Sequence, residues 1–280
     1  MLRVAIPNKG ILSDSAISML KEAGYATRRD AAVLHLVDEA NNVEFFYLRP
    51  RDIATYVGRG SLDVGITGLD LLLDSGSSAE EVADLGFGGS TFRFAAEPGA
   101  GFSSPSDLAG KRLATAYPTL IGDYLKANGI ACEVVGLDGA VESAVRLGVA
   151  DAVADVVSTG NTLRKAGLSV FGPEILASTA RLIAAPGKAD SAAKLLRRLQ
   201  GVIVAREYVI IDYDCPKELV DKASSITPGF ESPTISPLAD ENWVAIRALV
   251  RAAETNQIMD ELHDLGARAI LVSAIHAARI

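Results

Sequence analysis

The densest local chemistry in this chain lies in Asp151-Ala152-Val153-Ala154-Asp155-Val156-Val157-Ser158-Thr159-Gly160-Asn161-Thr162-Leu163. An apolar strand runs into small, hydroxyl-bearing residues and then opens a helix. Backbone N–H groups at a helix start point at whatever occupies such a loop, and the helix dipole favours an anion there. Ser158, Thr159 and Thr162 add hydroxyl donors. Gly160 permits close backbone approach, and Asp155 can accept from the hydroxyls of a ribose. In physical terms this is a phosphosugar cradle. A plain Ser/Thr helix cap would have the same local sequence.

Four further clusters each follow a predicted strand. In Pro7-Asn8-Lys9-Gly10, a Lys beside a Gly suits a phosphate or pyrophosphate as a mobile cation; a solvated surface turn is the alternative. In Leu48-Arg49-Pro50-Arg51-Asp52, Arg49 stands just ahead of a helix, where a guanidinium can grip phosphate with two hydrogen bonds. Arg51 and Asp52 read instead as a surface ion cluster. Gly65-Ile66-Thr67-Gly68-Leu69-Asp70 predicts a tight turn at Thr67-Gly68, with Asp70 able to orient a base or a hydroxyl. In Thr115-Ala116-Tyr117-Pro118, Tyr117 can stack on an aromatic base or simply pack.

The elements that position these clusters alternate between strand and helix. Strands are expected at 2–6, 33–37, 43–48 and 62–66, with helices at 13–23, 50–57 and 69–73. A second unit of the same kind follows. It has a crossing strand at 92–96, strands at 111–116, 132–135 and 152–157, helices at 118–128 and 139–147, and another helix from about Thr159. A strand at 181–185 returns to the first unit, and a helix at 188–199 follows. Two α/β lobes joined by two crossings enclose a cleft, and ligands in open α/β sheets bind at the carboxyl ends of strands. From about residue 206 the order becomes βαββαβ, the ferredoxin-like arrangement. The expected division is 1–90 with about 180–205, then 91–179, then 206–280.

Composition excludes several classes. The chain has 280 residues, 49% hydrophobic and 22% charged, as in a globular protein. A net charge of -8 argues against a general nucleic-acid binder. Cys132 and Cys215 have no metal spacing, and three histidines without an HExxH motif make a catalytic zinc site unexpected. The apolar start stops at Pro7, unlike a signal peptide, and no apolar run approaches a membrane span. A cytoplasmic protein without membrane or nucleic-acid partners is expected.

Taken together and in order, these motifs resemble ATP phosphoribosyltransferase, the family of the first committed step of histidine biosynthesis. Glu142, Gly148, Ala150, Val153, Asp155, Val156, Thr159, Gly160, Thr162 and Leu163 carry the resemblance, with the four other clusters. The resemblance implies transfer of the phosphoribosyl group of phosphoribosyl pyrophosphate to N1 of ATP, with Mg2+. It implies that Asp155, Val156, Val157, Ser158, Thr159, Gly160, Asn161, Thr162 and Leu163 bind phosphoribosyl pyrophosphate. It makes Lys9 and Arg49 the catalytic phosphate contacts and Gly10, Asp70 and Tyr117 the ATP side, and it brings either Arg28 or Arg29 to the site. Type I phosphoribosyltransferases carry two adjacent acids before their Thr-Gly turn. Here the pair is Ala154-Asp155, so the implied architecture is that of periplasmic binding proteins.

The βαββαβ tail matches the regulatory domain of the family's long form, which takes histidine as feedback inhibitor. A histidine ligand needs a carboxylate for its ammonium and hydroxyls for its carboxylate; Asp214, Ser232 and Thr234 offer these. Dimers assembling to hexamers are implied. The rivals are a solute receptor, which the missing signal peptide disfavours, a paralogue without catalysis, which the Asp155–Leu163 loop disfavours, and a regulator's effector domain, for which no helix-turn-helix is visible.

Overall fold

The structure, a computed structural model, describes residues 1–28, 30, 32–157 and 161–279, and of Asn161 only the backbone. The chain forms two compact units, Met1–Lys21 with Tyr25–Leu196, and Glu22–Gly24 with Arg197–Ile280.

The first unit opens with β1 (Leu2–Pro7), α1 (Ile11–Glu22), β2 (His35–Asp38), β3 (Val43–Leu48), α2 (Pro50–Gly58), β4 (Val64–Gly68), α3 (Leu69–Asp74) and β5 (Glu80–Asp84). It continues through β6 (Ser90–Ala96), β7 (Arg112–Thr115), α4 (Pro118–Ala127), β8 (Glu133–Gly136), β9 (Ala152–Val157), α5 (Asn161–Lys165) and β10 (Ser169–Ser178), then β11 (Ala180–Ala184). One sheet has the order β2-β3-β1-β4-β11-β5 and the other β10-β6-β9-β7-β8. The chain therefore leaves the first sheet between β5 and β6 and returns between β10 and β11. Each lobe has a parallel centre, β3-β1-β4 in the first and β8-β7-β9 in the second. This is the two-lobed arrangement expected.

Continuous apolar runs explain the central strands. Val4, Ala5 and Ile6 are fully buried, as are Ala152, Val153 and Ala154. In the first lobe Ile53, Ala54 and Val57 pack one face of α2 against Ala5 and Ile183. Gly65 makes that approach possible, because a Cβ there would stand 2.7 Å from Ile53 Cγ2. In the second lobe Leu120, Ile121 and Leu125 of α4 pack against Phe92, Leu113 and Ala152.

Several local expectations fail for physical reasons. Thr67 and Gly68 are not a turn; they end β4, paired with Arg181 and Ala180. The helix expected at 139–147 is only a short 3-10 turn at Val141–Ser143. Gly139 (φ 158°) and Ala140 (φ 50°) lie outside the right-handed helical region, so helical backbone begins only at Val141, and Val141 and Ala144 are anchored in the core. Two strands were not expected. β5 (Glu80–Asp84) is an acidic edge, and β10 is broken by a register shift between Phe171 and Leu176, across Gly172-Pro173.

In the second unit α6 (Ala193–Glu207) leads into β12 (Tyr208–Pro216), α7 (Val220–Ile226), β13 (Thr234–Pro237), β14 (Trp243–Arg251), α8 (Thr255–Leu265) and β15 (Arg268–Ala274). The sheet order β13-β14-β12-β15, all antiparallel, is the ferredoxin-like order. Alternation along β12 buries Ile211, Tyr213 and Cys215 against Ala223 of α7 and Leu262 of α8. Asp212 and Asp214 point to the other face.

Candidate active site

Carboxyl ends of the parallel strands of both lobes supply the side chains that sequence singled out. Lys9 and Gly10 follow β1, with Gly10 at φ 77° turning the chain into α1. Arg49 follows β3 in extended backbone, and Pro50 at the first position of α2 fixes the helix start. Neither Lys9 nor Arg49 has an ionic partner among the described residues, and both are exposed. Asp70, in the first turn of α3, is buried. Its Oδ1 accepts the Ser178 hydroxyl at 2.7 Å, and its backbone N–H donates to Ser178 Oγ at 3.1 Å. A Cβ at Gly68 would collide with that Oδ1.

Tyr117 follows β7 and leads into α4. Its ring meets Phe92 edge-on at 5.0 Å between centroids, and the Arg51 guanidinium covers one face at 4.9 Å. Burial, with the Asp70 carboxylate facing it, pushes the phenol far above its usual range, so Tyr117 stays a neutral donor. Arg51 is not part of an ion cluster with Asp52. It reaches Asp74 at 2.9 Å and lines the cleft. The spacing Arg51-Asp52 is adjacent in sequence, but adjacent residues on a helix do not face each other.

Asp155 lies within β9, and its Oδ1 accepts the N–H of Val156 at 2.7 Å. Burial pushes its carboxyl above the ordinary range, helped by Glu142 and Asp70 and opposed by the Val156 N–H and Arg51. A carboxylate held this way gains from any ligand hydroxyl or cation that reaches it.

A cavity of about 980 Å³ joins these parts. Lys9, Gly10, Arg49, Asp70, Tyr117 and Val156 all line it. Asp155 does not, although it stands close enough to Asp70 and Arg51 to feel their charge. Val157 packs against the core of the second lobe, and Leu163 is buried in it, which leaves Leu163 no surface for a ligand. Thr162 is exposed. Ser158, Thr159, Gly160, the Asn161 side chain and Arg29 lie outside the described residues. Arg28 is described: its guanidinium donates to the Asn8 carbonyl at 2.6 Å and sits 4.3 Å over the Tyr47 ring.

Gly88, Gly89 and Ser90 also line the cavity, together with Leu12 and Asp138. Gly88, Gly89, Ser90 and Leu12 carry no charge that sequence could flag. The signal was steric: at Gly88, with φ 66°, a Cβ would lie 2.7 Å from Leu12 Cδ2.

Among the described residues no three His, Cys, Asp or Glu side chains form a metal cage. The residues do fit a magnesium ion that arrives with a polyphosphate, since Mg2+ usually takes one or two protein carboxylates plus substrate phosphates. The carboxylates that line the cavity are Asp52, Asp70 and Asp138.

In the tail, Asp214 and Thr234 share the helix-free face of the sheet. They are not in one row: Asp214 aligns through Ala245 with Ser236, and Thr234 aligns through Arg247 with Asp212. Ser232 precedes β13, in a turn so tight that a Cβ at Gly229 would meet Ser232 backbone at 2.9 Å. Among the described residues no helix is long and apolar enough to cross a membrane.

Comparison with known proteins gives a consistent answer. The family described as HisG, ATP phosphoribosyltransferase, matches residues 49–201, and the HisG C-terminal domain matches residues 205–277. The ATP phosphoribosyltransferase of Pseudarthrobacter chlorophenolicus is 63% identical over the full length of both chains. That of Micrococcus luteus is 58% identical, again over both full lengths. Among solved structures, the ATP phosphoribosyl transferase (HisG:HisZ) complex from Thermotoga maritima superposes with a TM-score of 0.61 at 30% identity. The match covers 72% of this chain and 98% of that one. An arginine-bound protein, Tv2483, shares the fold at a TM-score of 0.50 and 11% identity, covering 71% of this chain and 83% of that one.

Proposed function

The chain belongs to the ATP phosphoribosyltransferase family, and on that premise we propose that N1 of ATP displaces pyrophosphate from C1 of phosphoribosyl pyrophosphate in the first-lobe/second-lobe cleft. The N1–C1 bond forms as the C1–O bond to pyrophosphate breaks, and the leaving group takes the electron pair. The product is N1-(5-phosphoribosyl)-ATP, in the first step of histidine biosynthesis.

The carrying observation is the cavity of about 980 Å³ whose lining combines Lys9 and Arg49, without ionic partners among the described residues, with buried polar groups from both lobes. Displacement at C1 needs no enzyme nucleophile. It needs two polyanions aligned and a departing charge stabilised. Lys9 and Arg49 supply mobile and bidentate positive charge for phosphate and pyrophosphate. Asp155 holds the ribose hydroxyls, and the 158–162 loop takes the 5′-phosphate. Gly10, Asp70 and Tyr117 form the ATP side, where Tyr117 remains protonated and Asp70 is fixed by the Ser178 hydroxyl. Magnesium, when bound, neutralises the pyrophosphate.

The division follows the same reading: 1–90 with about 180–205, and 91–179, make the catalytic lobes, and 206–280 the regulatory domain. Histidine is the inhibitor, held by Asp214, Ser232 and Thr234. The Thermotoga maritima neighbour is a complex of two proteins; a matched C-terminal domain in this chain supports self-contained regulation in a cytoplasmic homo-oligomer, dimer to hexamer. The test mixes the protein with ATP, phosphoribosyl pyrophosphate and magnesium and follows product absorbance. Absence of turnover would sink the reaction, and turnover untouched by millimolar histidine would sink the regulation.

A further inference from the structure

Asp74 is the last residue of α3, and it is 9% exposed. A carboxylate that deep needs donors to replace its water. It has three, and they come from both lobes. Oδ1 accepts the backbone N–H groups of Thr119 at 3.0 Å and Leu120 at 3.2 Å, in the first turn of α4 in the second lobe. Oδ2 accepts Arg51 Nη1 at 2.9 Å, from α2 in the first lobe. The same guanidinium lies over Tyr117, the residue that leads into α4. The contacts close a ring: Asp74 to α4, α4 to Tyr117, Tyr117 to Arg51, Arg51 back to Asp74.

Geometry makes this more than a helix cap. Asp70 and Asp74 are four apart on α3 and so share one face. Both address the start of α4, Asp70 from inside the cavity and Asp74 from behind it. Moving α4 away from α3 would expose a buried carboxylate, two helix-start N–H groups and one aromatic face at once. The cleft is therefore tied at this edge.

We propose that Asp74 is a positioning residue, a tie between the lobes that sets Tyr117 at the nucleotide end of the cavity and so tunes affinity for ATP. The proposal rests on the reading of that cavity as the ATP site. Without the tie, the ATP-competent arrangement is one of several, and apparent affinity falls by the fraction lost.

The experiment compares wild type, D74A, D74N, R51A and D74A/R51A by steady-state kinetics and by calorimetric titration of ATP alone. The Kd and KM for ATP are expected to rise about tenfold in D74A, with kcat changing less than about threefold. The double variant is expected to lose no more than the worse single one, because both residues serve one ring. D74N keeps the side-chain volume and an acceptor for α4 while losing the charge opposite Arg51, so it carries the test if D74A does not fold. A lowered melting temperature with ATP affinity within twofold of wild type would reduce Asp74 to a structural cap and overturn the proposal. Multiplying effects in the double variant would overturn it as well. Wild-type turnover, run alongside, separates this outcome from failure of the reaction itself.

Discussion

In the cleft of the first unit, Lys9 and Arg49 have no ionic partner among the described residues, whereas on the open face of the tail sheet Arg247 is paired with Asp212 at 2.7 Å. Arg247 is 64% exposed, and water and salt screen that pair. The cleft cations stand at strand ends that line a cavity of about 980 Å³. Charge left unspent in a concavity is available to a ligand. Charge spent on a flat sheet face is not. Asp214 is the tail's exception: it lies on the same face as Asp212 yet forms no ion pair among the described residues.

Substitutions can break this contrast. The largest effect is expected for Arg49→Ala, with kcat/KM down about a hundredfold, the scale for removing one charge-stabilising donor, as initial-rate kinetics at varied phosphoribosyl pyrophosphate would show. Unchanged kinetics would mean that the unpaired cation is idle. Next comes Asp155→Ala, where the KM for phosphoribosyl pyrophosphate is expected to rise about tenfold with the fold retained by circular dichroism.

The pH dependence of Asp155 sharpens the point. Its folded pKa is raised, so the folded state binds its proton more tightly than the unfolded chain does. That contribution is present below the unfolded pKa and lost as pH rises through the folded one. At neutral pH the ionised carboxylate therefore costs stability. Asp155→Asn should melt above wild type at about pH 7, and the gap should close toward about pH 4, where an ordinary Asp protonates. A constant gap across scanning calorimetry runs would contradict the burial account. On the proposed regulation, Asp214→Asn in the tail should raise the half-inhibitory histidine concentration about tenfold, the scale of one charge-assisted hydrogen bond. The smallest effect belongs to Arg247→Ala, for which thermal melting should match wild type within measurement error; a clear drop would show that the exposed pair is not spent in vain.

Legibility in the sequence followed the range of the forces involved. The parallel strands were readable because burial on both faces writes continuous apolar runs such as Val4-Ala5-Ile6. The tail was readable because its alternation writes period two along β12. Lys9, Arg49, Asp70 and Tyr117 were readable as charges or rings placed after strands. Arg51 was not, because its partners Asp74 and Tyr117 are distant in sequence and meet it only in the folded structure. Asp74 was silent for the same reason: α4 is its partner. β10 was hidden by Gly172-Pro173, and the 139–147 segment looked helical because its apolar spacing outweighed two positive-φ residues.

The insertion of the second lobe into the first has a consequence for assembly during synthesis. β11 sits between β4 and β5, with Ala180 opposite Gly68. At translation speeds of about 5–20 residues per second, β4 waits on the order of 10 s for that neighbour. Until then, the nascent first sheet presents an open edge beside fully buried strand residues, an invitation to wrong pairing. The second lobe, whose five strands are contiguous in sequence from β6 to β10, has a shorter wait, from β6 to its partners β9 and β10. It is expected to fold first and to deliver β11 to a first lobe that cannot be finished without it.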